Sequence, residues 1–232
     1  MFQSDEKAIE VIKGNPWVLS NSLEAGMIPN INTLRENGVS ASNILLLVSY
    51  HWVCIGSNPI RFRKIVEEVK EMGFDPLKSQ FVIAIKVFTS VNKSKRDERI
   101  EVYKRWGWSN KDIITALKKY PLSFMVSEDK LMAVMDFYVN KLGLDYSVIV
   151  NCPTLLGFSL KKRLIPRGAV IQYLSSKGPV KSGASITSLF KCPERHFLEK
   201  YVKCHEEAPH LIKLYNEKLN LSDTKESGKD EA

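Results

Sequence analysis

Between Ser127 and Gly143 the chain reads SEDKLMAVMDFYVNKLG, with Leu131, Val134, Met135, Tyr138 and Leu142 returning every third or fourth residue among charged and polar positions. That period lines the apolar side chains along one stripe of an α-helix, and Ser127 stands where an N-cap belongs. Strand-like alternation and hairpin dipeptides are scarce along the rest of the chain. The pattern predicts an all-α protein.

The helices are punctuated at a regular interval. Gly38, Gly73, Gly107, Gly143 and Gly178 are separated by 35, 34, 36 and 35 residues, and the first four open the tripeptides GVS, GFD, GWS and GLD. Glycine ends a helix in the left-handed conformation, and the Ser or Asp two residues on can accept backbone N–H bonds as the cap of the next helix. The large apolar residue between them then sits where a hydrophobic staple forms, pairing Val39 with Ile44, Trp108 with Ile113 and Leu144 with Ile149. Phe74 breaks the rule, because it would face Ser79.

A second marker runs alongside: NPWVL at Pro16, YHWVC at His51, IKVFT at Lys86 and YPLSF at Pro121 succeed one another at 35 residues, and CPTLL at Pro153 comes 32 later. Proline lacks an N–H and disfavours helix in the residue before it, so it should stop the first helix of each unit. His51 and Lys86 stand in its place in two units. Each unit thus reads as a helix of about ten residues, a break, and a longer helix ending in glycine. One such unit cannot bury its own apolar face, so the expected architecture is a superhelical solenoid of helical repeats of about 35 residues.

The array is expected to occupy residues 1–219. Its first repeat is partial, starting inside a helix at Glu6. The last departs too, since Pro179 comes directly after Gly178, the next cap falls at Ser185, and closing helices are expected from about residue 194. Residues 220–232 are expected to form a disordered acidic tail.

Charge separates along the same boundary. The chain of 232 residues carries a formal +8; its last 13 residues, with four acids and two lysines, hold −2, so the body holds +10. A basic body points to a polyanionic partner, nucleic acid or an anionic membrane surface. No apolar run is long enough to cross a membrane, and no membrane partner is expected. The N-terminus MFQSDEKAIE reads as neither a signal peptide nor a transit peptide. Four cysteines without C-x-x-C spacing read as reduced thiols.

Basic residues recur near the starts of the second helices: Arg61, Arg63 and Lys64; Lys93, Lys95, Arg96 and Arg99; Lys130; then Lys161, Lys162, Arg163 and Arg167. A cation there opposes the helix macrodipole, so its recurrence asks for a reason other than helix stability. Contact with backbone phosphates is one, and these twelve residues form the candidate nucleic-acid-binding set. The alternative is a solvated face with local ion pairs, such as Arg96 beside Asp97 and Glu98.

Catalytic signatures are missing, with no Walker loop, dinucleotide fingerprint, H-E-x-x-H motif or nucleophile elbow. The expectation is a protein that is not an enzyme, takes no cofactor and acts as a monomer. Cys192, His196, Cys204, His205 and His210 match no standard zinc spacing and read as parts of helices. His51 reads as a helix-junction residue.

The stretches WGWSNKDIITALKKYPLSFMVSEDKLMAVMDFYVNKLGLD, NCPTLLGFSLKKRLIPRGAVIQYLSSKG and FLEKYV resemble the mitochondrial transcription termination factor (mTERF) proteins, in the form abundant in land plants. The resemblance runs from about Glu6 to Leu219. It implies a stack of helical repeats with a basic groove for nucleic acid, at work in mitochondria or chloroplasts. Double-stranded DNA is the first expected partner through its phosphates, with RNA in splicing or ribosome assembly as the alternative; other organellar gene-expression proteins are expected as further partners. A helical array can also serve as a protein-binding scaffold.

Overall fold

The computed structural model describes residues 23–177 and 185–220. The helix start expected at Glu6, the proline at Pro16, the fifth glycine Gly178, and residues 221–232 lie outside them. Among the described residues the secondary structure is helical, with no strand. By internal contacts the chain divides into two units, Met1–Glu101 with Asn110–Met125 and Val102–Ser109 with Val126–Ala232.

In the first unit a π turn at Leu23–Met27 leads into α1 (Ile28–Glu36), followed by α2 (Ala41–Tyr50), a single turn α3 (Trp52–Ile55), α4 (Pro59–Glu71), α5 (Ser79–Ser90), the start of α6 (Lys93–Arg105), and α7 (Asn110–Lys119) running into a 3-10 turn at Pro121–Met125. The core forms where α4 packs on α1 and α5. Phe62, Ile65, Val66 and Val69 from α4 and Phe81, Val82, Ile85 and Phe88 from α5 are buried there.

The second unit holds α8 (Glu128–Asp136), which continues as a π turn at Phe137–Lys141, then α9 (Ser147–Asn151) and a 3-10 turn at Pro153–Gly157. A π turn at Leu160–Leu164 opens α10 (Ile165–Ser176); α11 (Ile186–Lys191), α12 (Glu194–Phe197) with a π turn at Leu198–Val202, and α13 (Ala208–Asn220) close the unit. The apolar stripe read in α8 is buried at Leu131, Val134, Met135 and Tyr138. Ser127 caps that helix by accepting from the Lys130 amide, and Ser185 caps α11 through Ser188.

All four described repeat glycines have positive φ, from 66° at Gly143 to 83° at Gly107. At three of them the hydrogen bonds are those of the Schellman motif. Gly38 N–H donates to Arg35 O and Val39 N–H to Leu34 O, Gly73 to Lys70 and Phe74 to Val69, Gly107 to Lys104 and Trp108 to Tyr103. The apolar residue after each glycine is therefore C″ of the helix just ended, and it belongs against the residue five positions back. Trp108 shows it: its ring stacks on Tyr103 at 4.7 Å. This explains Phe74, which has no partner as a staple yet is buried, with Val69 as its C3 partner.

The acid or hydroxyl after it acts as a cap only in part. Ser40 accepts from the Asn43 amide and starts α2, whereas Asp75 and Asp145 turn back onto the amides of Leu77 and Ser147. The helices there begin later. The second marker also splits. Backbone breaks occur at His51 (φ −140°) and in the 3-10 turns that Pro121 and Pro153 open. Lys86 lies inside an unbroken α5, a correction to the expected break: lysine keeps its N–H and fits the helix where proline would not.

Candidate nucleic-acid interface

Four successive second helices start in the same way. Asn58 Oδ1 accepts from the amides of Ile60 and Arg61 at 3.1 Å, Asn92 Oδ1 from Lys95 at 2.9 Å, Ser127 Oγ from Lys130 at 3.3 Å and Ser159 Oγ from Lys162 at 3.1 Å. The caps are 34, 35 and 32 residues apart. Each time the third helical residue is a cation: Arg61, Lys95, Lys130, Lys162. A capping box places Glu or Gln at that position, where the side chain answers the positive helix end. The cations and the Ser127 cap were readable from the sequence, but the caps at Asn58, Asn92 and Ser159 were missed. The [N/S]-x-x-[K/R] spacing was the available signal.

Within each unit these helix starts are neighbours. In the first, Arg61 Nη2 donates to Thr89 O at 3.1 Å, three residues before the Asn92 cap. In the second, Lys130 Nζ donates to Gly157 O at 3.0 Å, two residues before the Ser159 cap. A cation from one helix start thus lies on the segment leading to the next, satisfying carbonyls that a helix end leaves open.

The other candidates divide. Lys64, Lys93, Lys95 and Lys162 are exposed. Arg63 lies 3.3 Å from Glu36, and with Lys64, Glu67, Pro29 and Ile60 it lines a hollow of about 300 Å³. Arg163 stacks over the Phe158 ring at 4.6 Å, half-buried as are Arg99 and Lys161.

Arg96 and Arg167 leave the candidate set. Arg96 is 6% exposed and Arg167 1%. The Arg96 guanidinium bonds both Glu68 oxygens at 2.8 and 2.9 Å and the carbonyls of Phe88 and Val91, over the Phe88 ring. Arg167 Nη1 donates to Leu189, Phe190 and Cys192 carbonyls at 2.8 to 3.1 Å, over the Phe197 ring. Both guanidiniums are spent inside the fold on helix-end carbonyls, out of reach of a phosphate. Asn30 does the same with an amide, donating to Ile55 O and Ser57 O at 2.8 and 2.7 Å.

The C-terminal Cys and His residues scatter. Cys204 donates to Lys200 O, Cys192 to Leu189 O, and the His210 ring lies beside Tyr173. Among the described residues no group of three or more His, Cys, Asp or Glu could hold a metal ion, and no helix is long and apolar enough to cross a membrane.

Residues 80–198, just over half of the chain, match the model of the mTERF family. The chain belongs to the mTERF family. The match covers three of the four N-capped starts, at Asn92, Ser127 and Ser159. Among curated mTERF relatives, the mitochondrial transcription termination factor MTERF15 of Arabidopsis thaliana is 23% identical over 124 residues, 53% of this chain and 28% of that protein. The chloroplastic transcription termination factor MTERF8 of the same plant is 19% identical over 161 residues, 69% of this chain and 32% of that protein. The chain therefore spans about a third of the length of these mTERF relatives.

Proposed function

We propose that this chain binds nucleic acid through its backbone phosphates and regulates organellar gene expression, with double-stranded DNA ahead of RNA and with no catalytic step. The observation that carries the reading is the cation at the third position of four successive capped second helices, where a carboxylate would serve the helix better. A phosphate placed there gains from the side-chain charge and from the helix dipole together. Membership of the mTERF family supports it, and both relatives are named as transcription termination factors of an organelle. The organelle is proposed as a mitochondrion or a chloroplast on the same names.

Phosphate contact of this kind releases counterions, so affinity should fall steeply with salt and depend little on sequence. The test is a salt series with matched duplex DNA, single-stranded RNA and structured RNA. Duplex DNA is expected to bind most tightly, with log affinity falling linearly against log salt. Tighter binding of RNA across the series reverses the order of partners; affinities that do not change with salt overturn the electrostatic mechanism.

A further inference from the structure

In the second unit α13 lies antiparallel to α10. The Glu207 carboxylate, just before α13, accepts from the Tyr173 hydroxyl and lies 3.5 Å from Lys177 Nζ at the far end of α10. His210 packs on Tyr173 with ring centroids 4.8 Å apart. Five residues on, the Tyr215 hydroxyl donates to Glu194 at 3.2 Å, near Arg167, which lies six residues before Tyr173 on α10. Continuing that register from Tyr215 to Asn220 brings the end of α13 level with Lys161 and Lys162, and α13 indeed packs on the turn Leu160–Leu164 as well as on α10.

The chain therefore leaves α13 beside Lys161, Lys162 and Arg163. Lys218 adds a cation on the last turn of α13, and Lys130 Nζ reaches Gly157 O from the neighbouring helix start. Beyond Asn220 the chain runs LSDTKESGKDEA, with Asp223, Glu226, Asp230 and Glu231 against Lys225 and Lys229. Twelve residues extend to at most about 40 Å, more than enough to cover this cluster.

We infer that the basic helix start at residues 160–164 docks the acidic segment 221–232 of its own chain, which competes there with nucleic-acid phosphates. The inference rests on the proposed nucleic-acid binding and adds a regulation of that site. Tethering sets the effective concentration of such a short segment at about the millimolar level, so even weak carboxylate–ammonium contacts occupy the cluster part of the time. Phosphate must displace them, which lowers affinity and selects for polyanions that engage more than one helix start.

The experiment uses the full chain with Asp223→Asn, Glu226→Gln, Asp230→Asn and Glu231→Gln together. Duplex DNA should bind this variant about three- to ten-fold more tightly at low salt. The gain should vanish when Lys161, Lys162 and Arg163 are also changed to Gln; a gain that persists there reports net charge alone and overturns the docking. Independently of any nucleic acid, the backbone amide resonances of Lys161, Lys162 and Arg163 should differ between the native and the tail-neutralised protein. Amides that stay unmoved overturn the docking. Amides that move in a protein that binds no nucleic acid uphold the docking and sink the functional reading instead.

Discussion

Lys95 and Arg96 are adjacent in the chain and share nothing else. Lys95 is exposed on the first turn of α6, while Arg96 is buried against Glu68, two carbonyls and a phenyl ring. Lys95→Gln should therefore leave stability within about 0.5 kcal/mol, as for other surface substitutions, and weaken nucleic-acid binding. Arg96→Gln should cost about 1.5–3 kcal/mol through the removal of charged hydrogen bonds, measured by denaturant unfolding. Equal effects of the two changes on binding at equal stability would contradict the assignment. Trp108, 3% exposed and stacked on Tyr103, belongs with Arg96: Trp108→Ala should cost about 3–5 kcal/mol. The division was hidden in the sequence because the burial of an arginine is decided by partners far along the chain. Glu68 is 28 residues from Arg96, and Leu189 is 22 from Arg167.

At the scale of helices, the joints were legible and the breaks less so. A left-handed helix end needs glycine, so Gly38, Gly73, Gly107 and Gly143 announce themselves. The sequence suggests a staple on the following helix for the residue after each glycine except Gly73, but at Val39, Phe74 and Trp108 its backbone bond ties it to the helix before. Both roles ask for an apolar residue at one position, and only Phe74 separated them. The unbroken α5 at Lys86 shows the converse, a repeat position whose structure obeys its residue and not its alignment.

Close packing makes the helix joints testable in two places. A Cβ on Gly168 would lie 2.6 Å from Phe137 Cζ, so the start of α10 approaches the π turn that continues α8 through a missing side chain. Gly168→Ala should destabilise by about 1–3 kcal/mol, as overpacking does, and Phe137→Leu should restore part of the loss. At the α2–α3 junction burial, and after it the Lys86 ammonium, hold the His51 imidazole below its ordinary 6.5. Above that value folded and unfolded chains are both neutral there, and His51 contributes no pH dependence. As pH falls below it, the unfolded chain takes up the proton first and stability drops. In His51→Gln the fall in melting temperature from about pH 7.5 to about pH 5 should be shallower than in the native protein.

For the molecule as a whole, the body charge of +10 points to a polyanion, and the proposed interface puts part of that charge at the helix starts. Replacing Arg61, Lys95, Lys130 and Lys162 by Gln together should flatten the salt slope for duplex DNA by up to about 3–4, at about 0.9 for each phosphate no longer neutralised. An unchanged slope in a folded variant would move the interface elsewhere. The caps also bear on how the chain comes apart. In a repeat array, stability is the sum of what each repeat holds alone and what it shares with its neighbour. Arg61 on Thr89 O and Lys130 on Gly157 O are shared contributions vested in single side chains, as are Arg96 and Arg167. Removing them should loosen the coupling between neighbouring repeats, so that melting becomes broader and stepwise. Arg61 and Lys130, which would meet a polyanion at the surface, are at their other contacts among the side chains that make adjacent repeats unfold as one.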